Sequence, residues 1–153
     1  MVVANFKLLT PTAHLPIYSH ETDAGIDFFS DEEVSLIAGE RHSVSTGVAW
    51  MPYFNAMGHQ FDSLFKIYMQ IQARSGLAVN YGVDVMAGVI DGSYRGEIKI
   101  VLKNSGESDI VLPKGSKIAQ GIIHVIPYVF IKMEKELDET IRGTGGFGST
   151  GQG

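Results

Sequence analysis

The chain contains no cysteine. Disulfides and thiolate metal sites are therefore excluded, and the absence suits a reducing cytoplasm, which is the expected location. No stretch approaches the roughly 20 apolar residues of a membrane span. Met1 to Thr10 lacks the charged start and apolar run of a secretion signal. No membrane role is expected. Positive charge is also scarce: 12 Lys and Arg stand against 17 Asp and Glu, for a formal net charge of -5. An acidic chain has no general field to gather nucleic acid, so none is expected as a partner. If the chain binds a polyphosphate, the donors must be local: glycine amides, a few cations and a divalent metal. Histidines are few and scattered, at positions 14, 20, 42, 59 and 124, with no spacing that makes a metal site.

What is present is alternation. With 153 residues, 44% of them hydrophobic and 19% charged, the chain fits one globular domain. Phe65, Ile67, Met69, Ile71 and Ala73 point one way, and Lys66, Tyr68, Gln70 and Gln72 the other. That period of two predicts a half-buried strand. Ile98, Ile100 and Leu102 repeat it. Shorter apolar runs at Phe6–Leu9, Val34–Ile37, Val48–Trp50, Ile110–Leu112 and Ile122–Ile126 are separated by turn residues. Many short strands with frequent turns predict an all-β sandwich, jelly roll or barrel. Ser75-Gly76-Leu77-Ala78 predicts one short helix with Ser75 as its N-cap. Met133 to Ile141 reads equally as a helix or a linker. From Gly143 the chain is glycine-rich and predicts a flexible tail.

Three segments carry chemistry. The tail Arg142-Gly143-Thr144-Gly145-Gly146-Phe147-Gly148-Ser149-Thr150-Gly151 combines amides that cup an anion, hydroxyl donors and one ring. Read alone, it is also an ordinary glycine-rich terminus. No Lys precedes its Ser-Thr pair, so it is not a Walker A loop. Arg74-Ser75-Gly76 at the end of the alternating strand sets a guanidinium and a hydroxyl at a helix start, which suits a phosphate or simply makes a turn. In Gly88-Val89-Ile90-Asp91-Gly92-Ser93-Tyr94-Arg95-Gly96, Asp91 stands at a strand end. There it either orients a water or starts a turn.

In this order, and with Asp23-Ala24-Gly25-Ile26-Asp27 before them and Gly115-Ser116-Lys117-Ile118-Ala119-Gln120 between the last two, these segments resemble the five motifs of the trimeric dUTPase family. The resemblance spans nearly the whole chain. It implies a jelly-roll β-barrel over residues 1–141, a mobile closing tail over 142–153, and a homotrimer whose active sites are shared between subunits. It implies Mg²⁺-assisted hydrolysis of dUTP to dUMP and pyrophosphate, which lowers dUTP and supplies dUMP for thymidylate synthesis. Asp91 would activate the water that attacks the α-phosphorus. The Tyr94 ring would lie under the deoxyribose and reject a 2′-hydroxyl. A hairpin from Val83 to Ile90, including Val85 and Gly88, would hold uracil. Arg74, Ser75, Gly76 and Gln120 would contact phosphate. Asp27 would reach the metal through water. Phe147 would stack on uracil while Arg142, Gly148, Ser149 and Thr150 close on the phosphates.

The sequence departs from the family pattern in three places. Met51 to Leu64 is longer than the usual turn and rich in apolar residues, which makes it a candidate partner surface. Ala73 stands where a proline often precedes the arginine, and Ser93 where an acidic residue is common. Two other readings compete. A dCTP deaminase needs a glutamate base beside the pyrimidine. Glu97 is the only glutamate of the third motif, and it is expected on the solvent side. A dUTPase-like regulatory module would use the insert as its contact surface.

Overall fold

Alternation becomes strand where the sequence predicts it. In the computed structural model, which describes residues 1–55 and 64–145, the chain forms β1 (Val2–Leu8), β2 (Ile26–Phe29), β3 (Val34–Leu36), β4 (Arg41–Ser45), β5 (Val48–Phe54) and β6 (Phe65–Ala73). A short helix, α1 (Ser75–Tyr81), follows, then β7 (Val83–Met86), β8 (Val89–Asp91), β9 (Lys99–Asn104), β10 (Ile110–Leu112) and β11 (Lys117–Pro127). Residues 56–63 of the insert lie outside the described residues. So do Phe147, Gly148, Ser149 and Thr150, and the closing role expected of them.

The strands pair antiparallel in four ladders: β1–β5, β3–β10, β2–β11–β6–β8 and β4–β9–β7. The arrangement is all-β and jelly-roll-like, but the four ladders do not join into a closed barrel among the described residues. Met51 to Phe54, expected in a loop, instead extends β5. Its residues pair with the start of β1, Met51 with Asn5 and Phe54 with Val2. After three buried residues the strand alternates through them, with Met51 and Tyr53 exposed and Pro52 and Phe54 half-buried. The segment from Met133 to Ile141 forms no helix and runs exposed.

The inward sides of the ladders meet in one core. Phe28, Val34, Val44, Met69, Ile98, Leu102 and Ile118 are fully buried. Phe6 packs edge-on against Phe28 at 6.2 Å and stacks on Trp50 at 6.5 Å. Each buried aliphatic or aromatic side chain contributes roughly 1.5–3 kcal/mol of transfer free energy. Among the described residues Asp27, Ser30, Thr46 and Asn104 are polar and buried, Asn104 most deeply. The Asn104 side-chain amide donates to the Leu36 and Ser108 carbonyls and its oxygen accepts the Gly106 amide, so no buried polar group is left open there.

One charge cluster ties distant segments together. Thr10 and Thr12 donate to the Asp31 carboxylate, and Lys114 pairs with it at 3.0 Å. The Thr10 hydrogen bond, with help from Thr12 and Lys114 and against the opposing effect of burial, lowers the Asp31 pKa to about 2. A depressed carboxylate stabilises the fold above its unfolded pKa and ceases to do so as the folded form protonates. Stability should therefore fall as pH drops from 3.8 toward about 2. Asp31→Asn should lower the melting temperature at neutral pH and flatten that acid slope. Melting curves across the acid range check both, and an unchanged slope would show that Asp31 does not carry it.

Candidate functional site

Two clefts collect most of the described residues picked out by sequence. At the C-terminal end of β6, Gln120 on β11 lies opposite both Gln72 and Asp27. Arg74 follows the strand and stands at the N-cap position of α1, without a side-chain capping bond. Ser75, expected as the cap, is instead the first helical residue, so its hydroxyl is not spent on capping. Gly82 ends the helix in the left-handed region, at φ 68°, where a glycine carries no Cβ penalty. Asp27, Arg74, Ser75, Gly76 and Gln120 thus share one cleft of about 260 Å³ with Ser19, Leu77, Asn80 and Tyr81.

The Asp27 carboxylate organises this cleft. Its Oδ1 lies 3.2 Å from Arg74 Nε. Its Oδ2 accepts from Ser19 at 2.6 Å and pairs with Lys117 Nζ at 2.8 Å. Burial works against ionisation, but the Lys117 and Ser19 hydrogen bonds and the charges of Arg74 and Lys117 outweigh it and hold the pKa below its ordinary value. Arg74 also donates to the Lys117 carbonyl at 3.3 Å. Gln120 donates to the Ala73 carbonyl at 3.2 Å, and its Oε1 presses so closely on Gly25 that a Cβ there would sit 2.7 Å away. Sequence reasoning gave no role to Ser19 or Lys117. The ladder between β11 and β2 slips between Lys117 and Ala119, and nothing local in the sequence announces that irregularity.

Near the middle of β6, Asp91 closes β8 directly opposite Tyr68. Gly88 and Gly92 bracket the strand because β6 leaves no room for a side chain. A Cβ on Gly88 would meet the Ile71 carbonyl oxygen at 2.5 Å, and one on Gly92 the Ile67 carbonyl oxygen at 2.4 Å. The Ile71 amide donates to the Gly88 carbonyl, and the Gly92 amide donates to the Ile67 carbonyl. A turn then returns the Tyr94 amide to the Asp91 carbonyl. Arg95, which sequence reasoning passed over, clamps that turn by donating to the Gly92 and Tyr94 carbonyls at 2.7 and 3.1 Å. The Tyr94 ring lies on Gly96, and its hydroxyl donates to the Glu97 carbonyl at 3.1 Å. Asp91 and Tyr94 border a cleft of about 300 Å³ with Val89, Ile90, Glu97 and Lys99.

One expectation is corrected here. Val83 to Ile90 is not a hydrogen-bonded hairpin: β7 pairs with β9, and β8 pairs with β6. The chain crosses between sheets at Ala87, which adopts a left-handed φ of 54°. Val85 and Gly88 therefore flank a splayed corner rather than a closed ladder. Glu97 keeps the solvent-side register expected of it, alternating with buried Ile98, but it is half-buried and engaged. Its carboxylate accepts the Gly47 amide at 2.9 Å and lies 3.8 Å from Lys99. A side chain engaged in this way is not a free base. Arg142 is not brought to either cleft and bonds within its own turn, to the Gly145 carbonyl.

The dUTPase family model matches residues 11–151. A deoxyuridine 5'-triphosphate nucleotidohydrolase of Clostridium kluyveri is 43% identical over 147 residues, 95% of each chain. The chain belongs to the dUTPase family. A further family member, from Paramecium bursaria Chlorella virus 1, is 42% identical over 145 residues, again 95% of each chain. Among solved structures, the dUTPase of Staphylococcus bacteriophage 80alpha with dUPNHPP has a TM-score of 0.83 at 27% identity, over 98% of this chain and 99% of that one. A mutant dUTPase from phage phi11 of S. aureus, with a structural Mg(II) ion, shares the fold at a TM-score of 0.74 and 24% identity, over 90% of this chain and 99% of that one. The dUTPase match embraces all five segments picked out in the sequence. Among the described residues, no helix is long and apolar enough to cross a membrane.

The glycine brackets generate a test. Gly92→Ala should push β8 off β6 and displace Asp91, with at least a tenfold loss of turnover, because about 1 Å of misplacement at a reacting group costs up to 10²-fold. Steady-state assays with dUTP check it. Full activity in a folded Gly92→Ala variant would show that the close approach does not position Asp91.

Proposed function

We propose that the chain hydrolyses dUTP to dUMP and pyrophosphate as one subunit of a homotrimer whose active sites are shared between subunits. Family membership supports the reaction, and the separation of the two clefts supports the sharing. Arg74 follows Tyr68 by six residues along and just past β6. At roughly 3.3 Å per extended residue, Asp91, opposite Tyr68, and Arg74 stand about 20 Å apart along the strand. That spacing between main-chain positions exceeds the length of a triphosphate. A complete site therefore takes Asp91 and Tyr94 from one subunit and Asp27, Arg74, Ser75, Gly76 and Gln120 from another.

A second feature points the same way. After β11 the chain extends as an arm on which Phe130, Ile131, Met133 and Leu137 are 80%, 90%, 94% and 86% exposed. Apolar side chains in such a run call for a covering surface, which a neighbouring subunit would supply. The arm would carry Arg142 and the tail, with Phe147, Gly148, Ser149 and Thr150, to a site on a third subunit. Residues 142–153 would then act as a closing element rather than as part of the domain.

The chemistry follows from the groups. Asp91 has an exposed carboxylate with no hydrogen-bond partner among the described residues, free to take a proton from a water in line with the α-phosphorus. The Tyr94 ring, pinned by its hydroxyl, would give the deoxyribose a flat wall with no space for a 2′-hydroxyl. The splayed strands β7 and β8, with Val85 and Gly88 at their corner, would present main-chain groups to the uracil edge. Arg74, Ser75, Gly76 and Gln120 would line the path of the β- and γ-phosphates.

Mg²⁺ fits this donor set only indirectly. Among the described residues, no group of three His, Asp or Glu side chains gathers to hold a metal. A carboxylate offers about four acceptor positions, and Ser19, Lys117 and Arg74 take three of those on Asp27. The remaining position suits a metal-bound water. Mg²⁺ carried by the triphosphate would neutralise charge on the phosphate oxygens, as is usual for this ion. A cytoplasmic location accords with a cysteine-free chain acting on a nucleotide.

Asp91→Asn should fold, bind dUTP and lose about 10²–10⁴-fold in turnover, the usual contribution of a positioned general base. Product analysis with dUTP, dTTP, dCTP and UTP, with and without Mg²⁺, completes the test. Turnover within threefold of the parent would overturn the role of Asp91, and dUTP or dUMP released from dCTP would favour deaminase chemistry.

A further inference from the structure

Asp91, Tyr68 and His124 stand in one row across three strands. Tyr68 on β6 lies directly opposite Asp91 on β8 and directly opposite His124 on β11. Directly opposed residues of antiparallel strands project from the same face, with Cβ atoms roughly 4.5–5.5 Å apart. The Tyr68 and His124 rings are stacked, with centroids 4.9 Å apart and planes 12° from parallel. Tyr68 and Asp91 both line a groove of about 830 Å³ on that face.

The main chain of Asp91 is fixed by β6, but its carboxylate is not. No hydrogen bond holds it among the described residues, so its χ1 is free to sample the three staggered wells unless a neighbour closes some of them. We propose that Tyr68, backed by His124, is a positioning residue that braces the Asp91 side chain in the rotamer that aims it at the attacking water. The Tyr68 ring is a wall on the β6 side of the carboxylate. The His124 ring stops that wall from leaning toward β11. This inference rests on the reading of Asp91 as the base. It requires the tyrosine ring and not its hydroxyl.

The test is a cycle of variants in the full-length assembly, with kcat and KM for dUTP and melting temperature as readouts. Tyr68→Ala should lower kcat about tenfold, in line with the cost of misplacing a reacting group, and leave KM within about twofold. Tyr68→Phe should restore kcat. His124→Ala should lower kcat about threefold, roughly the loss expected when one preferred rotamer becomes one of three. In the Asp91→Asn background, Tyr68→Ala should cost almost nothing further, because the group it positions is gone. The same loss in both backgrounds, or a Phe variant as slow as the Ala variant, would overturn the bracing role. If Asp91→Asn is slow while Tyr68→Ala and His124→Ala both keep their kcat, the bracing role alone fails. If Asp91→Asn keeps its turnover, the assignment of the base fails and the brace with it.

Discussion

Strand β6 exchanges main-chain hydrogen bonds with β11 on one side and β8 on the other, and that three-strand pairing sets Asp91 apart from Arg74 and Gln120. Pairing with β11 brings Gln120 and, through β2, Asp27 to the Arg74 end. Pairing with β8 brings Asp91 and its turn beside Tyr68. The inward residues Met69 and Ile71 lock the strand to the core, so its outward row cannot slide without exposing them. The rigidity of the sheet thus becomes a fixed separation between the group that would activate water and the groups that would hold phosphate. On the reading proposed above, a single subunit would own two half-sites that an assembly completes.

Electrostatics follows the same economy. A chain of net charge -5 gathers no anion at a distance, so its cations must be held at the cleft. Asp27 does this by pairing with Arg74 and Lys117 together. The pair of cations exceeds the carboxylate by one charge, which leaves the cleft locally positive on an acidic protein. Gly25 matters for the same reason: Gln120 occupies the space that a side chain there would need.

Much of this was legible in the sequence because it is local. Alternation from Phe65 to Ala73 set the bounds and the inward face of β6, and glycines around Val89 to Asp91 marked a tight approach. The five segments, read in order, pointed to the dUTPase family. What was hidden depends on pairing between distant residues. The extension of β5 through Phe54 exists because β1 is there to receive it. The corner at Ala87 reads as a hairpin in sequence, since turn residues separate two short strands; it opens because β9 and β6 claim those strands first. Ser19 and Lys117 meet Asp27 only through the fold and an irregular ladder. Glu97 looks solvent-facing by alternation, yet the Gly47 amide lies within its reach.

The shared site is tested most directly by mixing two defective chains. Asp91→Asn and Arg74→Ala each remove one half-site, and each pure assembly should be nearly inactive. Unfolded together in equal amounts and refolded, subunits assort at random. A site works when its Asp91 comes from an Arg74→Ala chain and its Arg74 from an Asp91→Asn chain. The two choices are independent, so about a quarter of the sites should recover dUTP hydrolysis. If both groups came from one subunit, every site in the mixture would carry one defect or the other. Well-mixed assemblies that stay as inactive as their parents would contradict the shared site.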